Sequence, residues 1–238
     1  MNWKLRTGKF LFKYRSFTPV PLIIFIVLFF RPMTHPKYDL QIILVGFFLM
    51  VLGEVIRVFS VGFSFPGTSG RENFLRAENL NISGIYSIVR NPLYVGNIFI
   101  YTGILITYSN IYALLVFDLI LILQYYFIIK SEENFLFDTY GSEYIKYKDS
   151  VNSIIPNFRN YCKPENPFDK VKVILKENDS VFNSFVIFGT LLLYKEYIAA
   201  GNIVNKKLYF IYFGILIILY IFIKLLKKHY FRNQTRIE

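Results

Sequence analysis

The chain has 238 residues, a net charge of +11 and a mean hydropathy of +0.41, and 54% of its residues are hydrophobic. This composition is too apolar for a soluble domain of this length and is typical of an integral membrane protein. The positive charges lie between apolar runs, where they fit the positive-inside bias and contact anionic headgroups, so we expect no nucleic-acid partner. The single cysteine, Cys162, excludes an internal disulfide and a cysteine-based zinc site, and we predict no metal.

Six apolar segments approach the roughly 20 residues that a helix needs to cross a bilayer. They cover residues 17–31, 40–60, 94–109, 111–129, 181–200 and 207–226. We therefore predict an all-α fold, a polytopic membrane helix bundle with about six transmembrane helices. We divide the chain into an N-terminal transmembrane helix pair at 1–60, a central core at 61–160 and a C-terminal transmembrane helix pair at 161–238.

Lysine and arginine are unevenly distributed among the connections between these segments. Rich connections, before the first segment, at 61–93 and at 130–180, alternate with poor ones, which places both termini in the cytoplasm. The short link Ser109–Asn110 makes the third and fourth segments an antiparallel hairpin whose open end faces the cytoplasm. No small-residue cleavage site follows Phe30, so we expect the first segment to be a retained helix and not a signal peptide.

Two segments carry charged residues inside apolar sequence. Glu54 and Arg57 lie three residues apart, on one helix face. They predict either an ion pair that neutralises itself or a site, because ionisable groups within membranes often serve function. Asp118, in the fourth segment, needs a partner or water, and Glu132 lies fourteen residues further on, close to the same helix face.

The densest polar stretch is 84–96, with the sequence GIYSIVRNPLYVG, and Glu132 and Glu133 follow it after the hairpin. Each residue type has a structural explanation by itself. Pro92 can start a helix, Arg90 can contact headgroups, and the glutamates can form a solvated helix end. Together they bring a cation, an amide, two tyrosines and two carboxylates to one end of the hairpin, which suits a zwitterionic ligand.

This pattern resembles the integral-membrane methyltransferases of the isoprenylcysteine carboxyl methyltransferase and phospholipid methyltransferase group. Their signature is a Gly-x-Tyr-x-x-x-Arg-His-Pro-x-Tyr-x-Gly stretch, a hydrophobic hairpin, a Glu-Glu pair, and a Gly-x-x-Tyr-x-x-Tyr stretch ending in Pro. The matching residues are Gly84, Tyr86, Arg90, Asn91, Pro92, Tyr94, Gly96, Glu132, Glu133, Gly141, Tyr144, Tyr147 and Pro156. The upstream stretch 67–84 is similar to the arm that precedes the motif in bacterial members. The resemblance covers roughly residues 60–158 and makes 61–160 the methyltransferase core.

The resemblance implies S-adenosylmethionine as cofactor, bound in a cytoplasmic pocket at the open end of the hairpin. The residues implied to contact it are Tyr86, Arg90, Asn91, Pro92, Tyr94, Gly96, Glu132 and Glu133. An arginine fork fits the cofactor's carboxylate, a glutamate fits its ammonium group or ribose hydroxyls, and tyrosine faces attract its sulfonium. Neighbouring helical residues point about 100° apart, so we expect only one of the two glutamates to touch the cofactor. We favour Glu132, because it lies close to the same helix face as Asp118.

The implied acceptor is a lipid or lipidated molecule that enters from the bilayer, in the inner membrane of a bacterium. The residues expected to bind it are Glu54, Arg57, Arg71, Tyr144 and Tyr147. No residue is assigned a catalytic role.

Asn91 stands where the family motif has histidine, and it can donate a hydrogen bond but cannot titrate near neutral pH. The two histidines, His35 and His229, lie outside the matched motif. An ionised carboxylate or phosphate needs no base, whereas an amine must lose a proton. We therefore expect a carboxylate or phosphate acceptor on a prenylated or lipid substrate, with phospholipid amine N-methylation as the alternative.

Two other function classes stay open. Charged residues at membrane depth also occur in transporters, but the sequence has no inverted repeat or paired broken helices. A non-enzymatic membrane scaffold would keep the fold without the cofactor; Asn91 favours this interpretation, whereas Arg90, Tyr94 and both glutamates of the pair oppose it.

The charge distribution predicts that Cys162 faces the cytoplasm. A membrane-impermeant thiol reagent added to sealed cells should therefore leave Cys162 unlabelled until the cells are permeabilised. Ready labelling of this single cysteine from outside intact cells would refute the predicted topology.

Overall fold

The computed structural model describes residues 3–65 and 78–234, with side chains up to residue 230. Within these ranges the chain forms nine α-helices, one short 3-10 turn and no strand. The helices are α1 Trp3–Tyr14, α2 Pro19–Phe29, α3 Asp39–Phe63, α4 Ile85–Ile88, α5 Pro92–Tyr108, α6 Ile111–Tyr140, α7 Ser142–Ser150, α8 Lys170–Ala200 and α9 Lys206–Gln234. The predicted all-α class is confirmed.

The predicted number of six membrane spans is not confirmed. Four described helices, α3, α6, α8 and α9, are long and apolar enough to cross a membrane, and α1 and α2, which meet at 86°, would together make a fifth span. Helix α5 has 17 residues. At 1.5 Å per residue it measures roughly 26 Å, which is shorter than a hydrocarbon core of about 30 Å. The chain is a multi-pass membrane protein with four or five candidate spans.

Two helices extend well beyond their apolar segments. Helix α6 continues to Tyr140, so that Glu132 and Glu133 lie within it. Helix α8 begins at Lys170, where the Asp169 side chain accepts a hydrogen bond of 2.8 Å from the Lys172 backbone nitrogen and caps the first turn. Hydropathy detects only the apolar part of such a helix, and for this reason the predicted segments were too short.

Helices α5 and α6 form the predicted hairpin. Ser109 takes a left-handed backbone conformation with φ 59° and reverses the chain. The Asn110 side chain then accepts hydrogen bonds from the backbone nitrogens of Tyr112 (3.0 Å) and Ala113 (3.1 Å). These bonds satisfy two of the donors that the start of a helix leaves unpaired. We call this turn the closed end of the hairpin and the other end, at Pro92 and Tyr140, the open end.

Helices α3 and α5 approach each other closely because glycines face each other at their contact. A Cβ atom on Gly53 would lie 2.5 Å from the Gly96 carbonyl oxygen, and one on Gly103 would lie 2.5 Å from that of Gly46. Both glycine pairs are spaced seven residues apart, about two helical turns, so each pair lies on one face of its helix. The backbones pack at a distance that larger residues would prevent, as small residues commonly allow between membrane helices.

Helix α8 packs against both α3 and α5, and α9 packs against α8. The most apolar window of α9 contains no buried residue, so its outer face is open to lipid. Helices from all three predicted segments thus contact one another, and the three-part division of the chain stays a prediction.

The N-terminal helices cover α6. Helix α2 runs alongside α6, with Gln124 donating a 2.6 Å hydrogen bond to the Thr18 hydroxyl near one end. At the other end Asn110 donates to the Arg31 carbonyl oxygen at 2.9 Å. Helix α1 crosses α6 near the open end of the hairpin, where Gly8 packs onto the backbone of Phe127.

The α3–α5 contact predicts a specific sensitivity to one methyl group. Gly103→Ala places a Cβ atom 2.5 Å from the Gly46 carbonyl oxygen and 2.6 Å from the Met50 nitrogen, both backbone atoms that cannot rotate away. We expect a destabilisation of about 1–3 kcal/mol, measured as a lower thermal unfolding midpoint in detergent. Gly214→Ala in α9 is the matched control, because no atom lies within 4 Å of the added Cβ. Equal midpoints for the two variants would contradict the close packing.

Candidate active site

The start of α5 is fixed by the chain that follows α7. The Arg90 nitrogen donates to the Asn152 carbonyl oxygen at 2.9 Å, and the Asn91 nitrogen donates to that of Ser153 at 3.2 Å. Gly84, which opens the motif, has φ 60°, a left-handed conformation that favours glycine, and its missing Cβ leaves room for Pro164. Backbone hydrogen bonds therefore hold this part of the motif in place without any side-chain contact.

Asn91 anchors this junction with its side chain. Its Nδ2 donates to the carbonyl oxygen and to the hydroxyl of Ser153, both at 3.1 Å. Pro92 occupies the first turn of α5, where its missing N–H costs no hydrogen bond. The contact made by Asn91 needs a donor and no titrating proton, so an asparagine amide is sufficient at the position of the family histidine.

Arg90 joins α6 to the end of α7. Its Nη2 donates to Glu133 Oε1 at 2.7 Å, and its Nη1 donates to the carbonyl oxygens of Lys148, at 2.7 Å, and Val151. Lys148 Nζ and Lys130 Nζ lie 3.3 Å and 3.6 Å from Glu133 Oε2. The Arg90 fork, predicted to bind the cofactor carboxylate, is thus directed at protein groups, and its buried Nε has no partner among the described residues.

Motif tyrosines join α7 to α4 and α4 to α3. The Tyr147 hydroxyl donates to the Tyr86 carbonyl oxygen at 2.7 Å, and the Tyr86 hydroxyl donates to that of Ser60 at 3.2 Å. Burial raises the pKa of Tyr86 and of Tyr147, so both hydroxyls stay protonated donors at physiological pH. Tyr144 is buried and packs with Tyr147 and Val151. The structure therefore places Tyr144 and Tyr147, predicted to bind the acceptor, in a packing cluster.

Glu132, on α6, contacts Tyr94 on α5, the other helix of the hairpin. Its carboxylate is within hydrogen-bonding reach of the Tyr94 hydroxyl, and Arg15 is close enough to attract it. The rings of Tyr94 and Tyr125 pack with their centroids 4.7 Å apart. We call Tyr94 and Tyr125 the tyrosine wall. Glu132 therefore contacts Tyr94, whereas Glu133 contacts Arg90, as expected for neighbouring helical residues that point about 100° apart.

Deeper in the bundle, Arg57 is the centre of a buried polar cluster from three helices. Its Nε and Nη2 donate to Glu177 Oε2 on α8 at 2.9 Å and 2.6 Å, and its Nη1 donates to Asn97 Oδ1 on α5. Ser184 donates to Glu54 Oε1 at 2.8 Å, whereas Glu54 Oε2 is buried without a hydrogen-bond partner among the described residues. We call these five residues the Arg57 cluster. Arg57 attracts Glu54 but forms its hydrogen-bonded ion pair with Glu177, so the expected pair within α3 extends to α8.

The Arg57 cluster and the tyrosine wall are connected. The Asn97 side chain is within hydrogen-bonding reach of the Tyr125 hydroxyl. Gly96 leaves the space that the Arg57 side chain fills, because a Cβ atom there would lie 2.6 Å from Arg57 Cγ. Gly96, predicted to contact the cofactor, therefore also serves the packing of α3 on α5.

Some residues near these groups were not predicted from the sequence. Tyr125 lies seven residues before Glu132, on the same helix face, and that spacing was an available signal. Glu177 and Ser184 lie outside the matched motif, and no local pattern marks them. Arg15 lies in the lysine- and arginine-rich stretch before the first predicted segment, and nothing in that stretch distinguishes it.

Two charged residues predicted from the sequence lie elsewhere. Arg71 falls outside the described residues. Asp118 accepts hydrogen bonds of 3.1 Å from the Thr102 hydroxyl at both carboxylate oxygens, which provides the partner it was expected to need.

A cavity of about 590 Å³ lies at the closed end, between the start of α3, the end of α8 and the start of α9. Its charged lining residues are already bonded: Lys195 donates to Asp39, to Ser109 and to the Thr107 carbonyl oxygen. None of the predicted site residues lines it. The candidate active site is therefore the open end and not this cavity.

Residues 41–143 match the model of the phospholipid methyltransferase family. This segment of the chain belongs to that family. Its members are S-adenosylmethionine-dependent methyltransferases, so the predicted family, enzyme class and cofactor are confirmed. No curated protein and no solved structure matches the chain. The roles of individual residues therefore depend on the geometry, and the predicted site residues stay predictions.

The residues at the open end fit the methyltransferase cofactor. Glu132 has a half-buried carboxylate of the kind that binds an ammonium group or ribose hydroxyls, and the buried tyrosine wall beside it has aromatic rings of the kind that attract a sulfonium cation. The Nε of Arg90 is buried and has no hydrogen-bond partner among the described residues. Among the described residues no group of three or more acidic, histidine or cysteine side chains could hold a metal ion.

The Arg90 contacts predict a mainly structural effect of mutation. Arg90→Ala removes the hydrogen bonds to Glu133 and to two carbonyl oxygens, and we expect a loss of about 1–3 kcal/mol, seen as a lower unfolding midpoint and faster proteolysis near residues 148–157. Lys130→Ala is the control, because the Lys130 side chain is 46% exposed and its amine lies 3.6 Å from Glu133. It should cost less than about 1 kcal/mol. An Arg90→Ala protein as stable as this control would contradict the assigned contacts.

Proposed function

We propose that the protein transfers the methyl group of S-adenosylmethionine to the amine headgroup of a membrane lipid. The cofactor binds at the open end, beside the tyrosine wall and Glu132, and the acceptor amine binds beside Glu54. The observation that carries this assignment is the Oε2 atom of Glu54, a buried carboxylate oxygen without a partner among the described residues. We expect the open end to face the cytoplasm, as the loop charges predict.

The charges of the Arg57 cluster favour an amine over an anion. The cluster holds two carboxylates, Glu54 and Glu177, and the guanidinium of Arg57 is already bonded to Glu177 and Asn97. An anionic headgroup, which we expected from the missing motif histidine, would lie against the Glu54 carboxylate in a medium that screens charge weakly. An amine presents N–H donors and positive charge to the same oxygen. Glu54 also replaces the histidine as a candidate base.

The cofactor, when bound, would supply an electrophilic methyl group: a nitrogen–carbon bond would form as the sulfur–carbon bond broke, and the sulfur would keep the electron pair. Glu54 Oε2 accepts the proton that the amine nitrogen must lose. The tyrosine wall and Asn97 hold the reacting groups in line, and the apolar helices exclude water. Positioning and removal of one proton are the tasks that this chain's residues perform.

The test is methyl transfer in vesicles of defined composition. Purified protein is reconstituted with a primary-amine phospholipid, with an anionic phospholipid lacking an amine, or with a prenylcysteine carboxylate lipid. Methyl-labelled cofactor is added, and mass spectrometry locates the label. We expect label on nitrogen of the amine lipid. Label only on the carboxylate or phosphate lipid would contradict the amine assignment.

Glu54→Gln tests the base directly. The amide is isosteric but cannot accept the proton, and we expect the rate of transfer to fall by about 100-fold or more. Asp118→Asn removes a second intramembrane carboxylate, one that contacts Thr102 and not the Arg57 cluster, and should leave the rate nearly unchanged. A Glu54→Gln enzyme as active as Asp118→Asn would exclude Glu54 as the base.

A further inference from the structure

Helix α8 lies outside the segment that matches the family, yet it supplies part of the buried polar cluster. Glu177 accepts two hydrogen bonds from Arg57, and Ser184, on the same face seven residues later, donates to Glu54. Both α8 residues are buried, at 5% and 4% exposure. The two charged residues that α3 places inside the membrane are therefore both bound by α8.

A continuous line of side chains leads from Glu177 to the open end. Glu177 fixes two nitrogens of the Arg57 guanidinium, and the third donates to Asn97 Oδ1. With its oxygen held by Arg57, the Asn97 amide is left with its NH₂ group for the Tyr125 hydroxyl. The Tyr125 ring packs on Tyr94.

We propose that Glu177 is a positioning residue, which acts through Arg57 and Asn97 to orient the tyrosine wall of the cofactor site. The inference rests on the proposed function for the location of the cofactor. It makes α8 a component of the catalytic unit and gives a role to a C-terminal segment that the family match does not include.

The physical basis is the cost of an unpaired charge inside a membrane. Without the Glu177 carboxylate, the buried Arg57 guanidinium has to find another acceptor, and Glu54 is the nearest carboxylate on its own helix. A guanidinium that turns toward Glu54 releases the Asn97 oxygen, and Asn97 is then free to rotate away from Tyr125. The tyrosine wall loses the contact that sets its geometry.

The same helix provides a control for loss of stability alone. At the closed end of the bundle, Lys195 of α8 forms a second, partly buried ion pair, with Asp39 of α3, at 3.0 Å. Lys195→Met and Glu177→Gln each break one ion pair between α3 and α8. Only Glu177→Gln disturbs the line of contacts to the tyrosine wall.

The experiment is a double-mutant cycle with Glu177→Gln, Arg57→Gln and both together. Cofactor affinity is measured by calorimetry, and the kcat/KM of methyl transfer is measured with the vesicle lipid that the wild type methylates. We expect Glu177→Gln to lower kcat/KM and cofactor affinity by about 10-fold or more, in view of the sensitivity of catalysis to misplacement. The double variant should be no worse than Arg57→Gln, because Glu177 acts through Arg57. Lys195→Met should lower the unfolding midpoint. In the folded protein it should leave kcat/KM and cofactor affinity within about 2-fold of the wild type, because substitutions at distant sites usually act independently.

Fully additive losses in the cycle, or equal activity and affinity in folded Glu177→Gln and Lys195→Met, would overturn the proposal. If Glu177→Gln does not fold, Glu177→Asp decides: it keeps the charge but shortens the side chain by one methylene, and it should lose affinity and rate at a near-normal unfolding midpoint. A Glu177→Asp protein with wild-type values would count against the positioning role. A wild type that binds the cofactor but methylates no lipid contradicts only the proposed acceptor, and the affinity cycle still tests Glu177. A wild type that does not bind the cofactor contradicts both.

Discussion

The close crossing of α3 and α5 is the constraint on which the rest of the structure depends. Glycines at 46, 53, 96 and 103 bring the two backbones into contact, and a single added methyl group at these positions would meet a carbonyl oxygen. Only at this distance does Arg57 pass over Gly96 and reach Asn97 on the neighbouring helix. Membrane helices gain little from burying apolar surface against each other, because lipid is equally apolar, so close packing and polar contacts hold them together.

Polar contacts then determine which helices join this pair. Arg57 and Glu54 are charged groups at membrane depth, and such groups require partners. Helix α8 meets this requirement with Glu177 and Ser184 at one end of α3, and with Lys195 for Asp39 at the other. Because these charges would be costly to leave unpaired, they favour the packing of α8 against α3, although α8 lies outside the segment that matches the family. The same pairing leaves one buried oxygen of Glu54 without a hydrogen-bond partner among the described residues, and in our proposal the enzyme uses it for chemistry.

The sequence predicted the hairpin, the helical class and the family, because these follow from hydropathy, the Asn110 turn and a motif of fixed spacing. It did not predict where helices end, since Glu132 and Glu177 lie in polar extensions of α6 and α8 that hydropathy does not register. It also could not distinguish motif residues that face a ligand from those that shape the fold. Arg90 and Tyr147 donate hydrogen bonds to carbonyl oxygens of the protein, whereas Glu132 lies within hydrogen-bonding reach of Tyr94 on the other helix of the hairpin. That difference depends on contacts with residues far away in the chain, such as that between Arg90 and Val151, which local spacing does not contain.

In our proposal the cofactor lies against the tyrosine wall at the open end of the hairpin. The most direct measurement is photochemical cross-linking of methyl-labelled S-adenosylmethionine to the purified protein, followed by mass spectrometric mapping of the labelled peptides. We expect label in the peptides that contain Tyr94 or the stretch 125–132, competed by unlabelled cofactor. Competed label confined to the closed-end cavity, at Phe188 or Tyr209, would contradict the account.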